Sequence, residues 1–195
     1  MSDFKPGTVI FLNGTSSSGK TSLVQALQDE METPYLEMGI DKFIWMLPER
    51  YLERPLWDEV LGKAVTAGST GHDLVRGMHR SIAAAVRDGW CVLVDHVLVE
   101  PHWVLDCASL FHSLPAFLVG VYCPLAVLEE REQARKNRTM GQARSQFDVV
   151  HAHGVYDFTV DTALYSPREC AVQIKHHVTV TQPVAFRRLM NIAKL

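Results

Sequence analysis

The sequence predicts an α/β fold: a five-stranded, mainly parallel sheet with helices on both faces. Three observations carry this. Five short apolar runs recur along the chain. Stretches with helical periodicity separate them, as parallel strands require. A glycine-rich loop stands between the first run and the first helix.

Thr8–Leu12 is the first strand, and Asn13-Gly14 marks its turn. A helix follows from Lys20, with Leu23, Val24 and Leu27 on one face. Tyr35–Met38 is the second strand. Leu74, Met78, Ile82 and Val86 recur every four residues and predict a long helix, which Asp88-Gly89 stops. Trp90–Val94 is the third strand, ended by Asp95. Pro101 opens a helix carrying Val104, Ala108 and Phe111. Ala116–Tyr122 is the fourth strand. Pro124 starts a helix that runs through Leu125 and Leu128 into an arginine-rich stretch. Tyr156–Val160 alternates apolar and polar residues, as an edge strand does. Pro167 starts the last predicted helix, with Cys170 and Ile174.

The chain has 195 residues, 47% hydrophobic, enough to bury one core, so residues 1–195 are expected to form one domain. Lys and Arg number 19 against 22 Asp and Glu, a net charge of −3, from which no strong net attraction to nucleic acid or anionic lipid follows, and no nucleic-acid or membrane partner is expected. No apolar run approaches the roughly 20 residues of a membrane span, and no secretory leader is evident. Cys91, Cys107, Cys123 and Cys170 lie far apart and predict reduced thiols in a cytoplasmic protein, with no metal framework. The nine histidines likewise show no metal-ligand spacing. The oligomeric state stays open.

Gly14-Thr15-Ser16-Ser17-Ser18-Gly19-Lys20-Thr21 fits the phosphate-loop pattern GxxxxGK[ST], in its required place between strand and helix. Glycine lets the backbone curl its N–H groups toward phosphate oxygens, and the helix N-terminus adds positive potential. Lys20 is placed to reach the β and γ phosphates, and the Thr21 hydroxyl to ligate Mg²⁺. The expected fold is therefore a P-loop NTPase using ATP and Mg²⁺. The guanine-reading NKxD and switch DxxG tetrapeptides do not occur, which favours a small kinase over a regulatory GTPase. A nucleotide-binding module without an acceptor, or a nucleoside kinase, remains an alternative.

A kinase needs more parts. Arg131, Arg135 and Arg138 share one helical face and suit an arginine-rich lid over residues 131–145, or else a solvated basic face. Asp95 either holds Mg²⁺, through water, or caps its strand. Asp41, in Gly39-Ile40-Asp41, is a candidate general base for an acceptor hydroxyl, or a helix N-cap. Phe43 and His96 are candidates for the acceptor pocket, with core packing as the alternative. Residues 48–71 lack clean periodicity and form the candidate acceptor-side insertion.

Taken together, these residues resemble the chloramphenicol phosphotransferase family of small P-loop kinases. The resemblance spans Val9 to about Ile174. It rests on the phosphate loop, Gly39-Ile40-Asp41, the Val-Asp end of the third strand and Arg131-Glu132-Gln133-Ala134-Arg135-Lys136-Asn137-Arg138. Met140-Gly141, Val149-Val150-His151, Gly154, Tyr156-Asp157 and Val160-Asp161-Thr162 extend it. It implies ATP-dependent phosphorylation of a primary hydroxyl on a small molecule. Asp41 then matches the catalytic aspartate, Lys20 and Thr21 the phosphate and Mg²⁺ positions, and Arg135 and Arg138 the lid arginines. Arg131 matches an arginine at the lid's start, which by analogy covers adenine. Asp95 matches the first of two acidic residues, but the second is here His96. That departure, and a different 47–71 segment, fall where acceptor specificity is set.

Overall fold

The computed structural model describes residues 5–52, 68–134 and 141–192. Its sheet holds β1 (Val9–Asn13), β2 (Tyr35–Glu37), β3 (Cys91–His96), β4 (Ala116–Tyr122) and β5 (Phe158–Asp161). Their order is β2-β3-β1-β4-β5, and every pairing is parallel. The helices are α1 (Lys20–Glu30), α2 (Ile40–Ile44), α3 (Ser69–Arg87), α4 (Pro101–Phe111), α5 (Leu125–Ala134), α6 (Gln142–Phe147), α7 (Pro167–Val180) and α8 (Ala185–Ile192). A short 3₁₀ turn covers Glu49–Tyr51.

Both faces of the sheet are buried, which is why its central strands read as unbroken apolar runs. Along β1, Val9 and Phe11 join α2, α3, α4 and α8 on one face. Ile10 and Leu12 join α1 and α7 on the other. Phe11 meets Phe111 and Phe186 edge-to-face at centroid separations of 4.9 and 5.3 Å. Such pairs add about 0.5–1.5 kcal/mol each beyond their burial. Among the described residues, no helix is long and apolar enough to cross a membrane.

The elements match the sequence reading with three corrections. β3 does not stop before Asp95: parallel pairing with β1 continues through Leu12↔Asp95 and Asn13↔His96. The last helix is α8, not α7. Its N-terminal amides, Val184 and Ala185, are capped by Asp157 Oδ1 at 2.6 and 2.9 Å. α6 was not expected either. Its entry is held by the buried Glu132, whose carboxylate accepts from Gly141 N–H at 2.8 Å and Ala143 N–H at 2.9 Å. Both caps come from residues distant in sequence, so neither helix carries a local start signal. All four cysteines are free, three of them buried.

Candidate active site

The carboxyl ends of β1, β3, β4 and β5 converge on the loop Gly14–Thr21, where open α/β sheets bind ligands. Gly14 is needed there for space: a Cβ would lie 2.5 Å from Val121 O. Gly19 has φ +86° and is the N-cap of α1, a conformation that glycine adopts without strain. Ser17, at φ +64°, shares the left-handed bend. The Ser16, Ser17 and Ser18 hydroxyls are buried without a hydrogen-bond partner. Orphaned polar atoms around a curled loop at a helix N-terminus fit an anionic ligand that accepts from them.

Lys20 is 5% exposed, and its Nζ donates to Gly14 O at 3.0 Å and Thr15 O at 2.8 Å. Asp95 comes off the end of β3 to meet the loop. Its Oδ2 accepts from the Thr21 hydroxyl at 3.0 Å, and its Oδ1 lies 3.5 Å from Lys20 Nζ. Asp95 is thus engaged with the phosphate loop and is not a strand cap. Thr21 and Asp95 together offer an all-oxygen donor set, the chemistry that Mg²⁺ prefers.

Gly39 brings the next element close. A Cβ on it would lie 2.9 Å from Asp95 Cβ, so only glycine lets the start of α2 pack on β3. Asp41 follows on this edge as the second helical residue, exposed, while Gly39 is the N-cap. The capping alternative for Asp41 is therefore set aside. Phe43 is half-buried and packs against the core beneath α2. His96 is fully buried, with Nε2 2.8 Å from His79 Nε2 and Nδ1 accepting from Val97 N–H at 2.8 Å. With both ring nitrogens engaged, His96 supports the strand end and does not line an open acceptor pocket. Burial drives its pKa well below the ordinary histidine value.

On the other side, Arg131, on α5, is tied to the loop through Thr162. Its guanidinium donates to Thr162 Oγ1 at 3.1 Å and Thr162 O at 2.8 Å, and the Thr162 hydroxyl donates to Ser18 O at 2.7 Å. Arg135 and Arg138, and most of the insertion expected at 48–71, lie outside the described residues.

Several contributors have no role assigned from sequence, His151 and Tyr156 among them though they carry the resemblance. Gln146 Oε1 accepts from the Ser16 N–H at 2.7 Å. Asn13 Nδ2 donates to Val150 O at 2.8 Å and Tyr156 Oη at 2.7 Å, and Asn13 Oδ1 accepts from Leu98 N–H at 2.8 Å. Tyr156 Oη also lies 2.6 Å from His151 Nδ1, and His151 stacks on Tyr122 at 4.0 Å. Burial lowers the His151 pKa to about 4 and raises that of Tyr156. A cavity of about 410 Å³ opens here beside Thr15, lined by Tyr122, Cys123, Phe147, His151 and Asp161 among others.

This architecture recurs in solved structures at low identity. Deinococcus radiodurans tunicamycin resistance protein superposes with TM-score 0.62 at 17% identity, over 91% of this chain and 98% of its own. The Mycobacterium tuberculosis APS kinase CysC in complex with AMPPNP and APS gives 0.61 at 14%, over 90% and 99%. Acinetobacter baumannii shikimate kinase in complex with shikimate gives 0.61 at 14%, over 90% and 95%. These likenesses establish the P-loop kinase fold. In sequence, the chain is 32% identical to the Mycobacterium tuberculosis protein named "Putative O-phosphotransferase Rv2636", covering 97% of this chain and 90% of that one. The family profile described as "Chloramphenicol phosphotransferase-like protein" matches residues 7–179. With that match, the chain belongs to the chloramphenicol phosphotransferase-like family of phosphotransferases.

Proposed function

We propose that the protein transfers the γ-phosphoryl group of ATP to a hydroxyl of a small molecule, with chloramphenicol the first acceptor to test. One observation carries this: Thr21, Lys20 and Asp95 meet at the phosphate loop, while Gly39 seats the start of α2, and so Asp41, on the same edge. In this reading the loop amides and Lys20 hold the phosphates. Thr21 and Asp95 hold Mg²⁺, which when bound offsets phosphate charge. Asp41 accepts the acceptor's hydroxyl proton as the new O–P bond forms and the bond to the ADP oxygen breaks. Arg135 and Arg138, from the lid, are assigned to the charge on the transferring group. Arg131, tied to Thr162, fixes where that lid begins.

ADP release is the test, followed with ATP and Mg²⁺ alone and with chloramphenicol or a panel of hydroxyl compounds. An acceptor that accelerates release and gains one phosphoryl group in mass supports the proposal. ADP release that no acceptor changes, with inorganic phosphate as its co-product, assigns the site to hydrolysis.

A further inference from the structure

Behind Asp95 lies a buried cluster that the site described above does not use. His79 on α3, His96 on β3 and Cys107 on α4 are fully buried, and their potential ligand atoms lie within 4.8 Å of one another. The histidine spacing in the sequence gave no sign of it. The grouping suggests a metal site, but the hydrogen bonds argue otherwise. His96 Nδ1 accepts from the Val97 N–H at 2.8 Å, so that nitrogen is unprotonated and the ring proton sits on Nε2. A proton there denies a metal the Nε2 lone pair. His96 Nε2–H instead donates to His79 Nε2 at 2.8 Å, and His79 Nδ1–H donates to Asp106 Oδ2 at 2.7 Å. Cys107 Sγ stands 3.4 Å from the same His79 nitrogen, and Arg80 flanks Asp106 at 3.4 Å. Every ring nitrogen is satisfied and every tautomer is determined.

We propose that this chain, rooted in α3 and α4, positions Asp95 at the phosphate site, with His79 as the positioning residue. The proposal rests on the nucleotide reading above. The strand end and turn that these hydrogen bonds clamp, Asp95-His96-Val97-Leu98, are joined to the loop at two places and to the end of β1 at a third. Asp95 meets Thr21. His96 O accepts from Gly14 N–H at 3.4 Å. Leu98 N–H donates to Asn13 Oδ1. Losing the acceptor on His79 leaves the buried His96 Nε2–H unsatisfied, and the turn relaxes to find it a partner. Asp95 then loses its alignment with Thr21, and Mg²⁺ is held less well. Supporting groups behind metal ligands commonly contribute 10–100-fold in affinity.

Two measurements test this on the full chain. The first is NMR of ring-¹⁵N-labelled protein. The wild type is expected to show exchange-protected protons on His96 Nε2 and His79 Nδ1. A proton on His96 Nδ1 overturns the proposal, as does stoichiometric zinc in the purified protein. The second is calorimetric ATP binding across a Mg²⁺ titration. His79→Phe is expected to raise the Mg²⁺ needed for half-saturation roughly tenfold and to change metal-free ATP binding far less. His79→Gln, whose amide oxygen can accept from His96, restores the response. Asp106→Asn, at a half-buried and more tolerant position, gives a smaller shift in the same direction. Wild-type Mg²⁺ dependence in all three variants overturns the positioning role alone. A wild-type protein that binds no ATP overturns the nucleotide reading, and this role with it.

Discussion

The Lys20 ammonium is held by the carbonyls of Gly14 and Thr15, with Asp95 3.5 Å away. A buried cation so placed can exchange loop carbonyls for phosphate oxygens with little movement. Lys20→Ala should therefore weaken ATP binding about tenfold or more, as loss of a charge-assisted hydrogen bond does, with calorimetry as the check. Asp41→Asn should leave that binding intact and slow transfer by about 10²-fold or more. Near-normal transfer in that variant would remove Asp41 as the base. Gly14 through Thr21 is legible in the sequence because its spacing is itself the chemistry, and Asp95 is legible as an acid at a strand end, which the fold brings to Thr21. Gln146 and Thr162 were not legible in role. Each touches the loop from more than 100 residues away in sequence, through contacts that only the folded sheet creates. His96 was legible as a neighbour of the site but not as a buried link to His79.

Among the elements, the strands and longer helices announced themselves by periodicity, and the missed helices share one physical cause. α8 buries Phe186 and Leu189, but its cap is Asp157, which also accepts from Leu118 N–H on β4 at 2.8 Å. One carboxylate thus joins the end of the chain to the sheet. Asp157→Ala should cost about 2–4 kcal/mol, combining a lost cap with a stranded buried amide. Denaturant unfolding would measure it, and the Mg²⁺ dependence of ATP binding should stay that of the wild type. An unfolding midpoint equal to the wild type's would show that α8 does not depend on Asp157. α6 follows the same rule through Glu132, which bridges α5 to the loop-contacting Gln146 helix.

At the scale of the whole molecule, a parallel sheet with helices on both faces followed from the alternation of strand and helix, while the strand order β2-β3-β1-β4-β5 emerged only in the fold. The histidine chemistry did not, because it depends on burial. His151 is neutral in the fold, with its pKa lowered to about 4 by desolvation against an ordinary value of 6.5. Between these values the unfolded chain binds a proton that the folded chain refuses, so stability falls as pH drops from about 6.5 toward 4. The buried His96 and the half-buried His153 shift in the same direction and add to the effect. The melting temperature should decline across that window, and less steeply in His151→Phe, which keeps the stack on Tyr122. An equal slope in that variant would assign the acid sensitivity to other groups.

The most direct test of the central claim follows the fate of the γ-phosphoryl group itself, using γ-labelled ATP with Mg²⁺ and hydroxyl acceptors, chloramphenicol included. Label recovered on an acceptor with the wild type, and absent with Asp41→Asn, is the predicted result. Label found only in inorganic phosphate, whatever the acceptor, would contradict it.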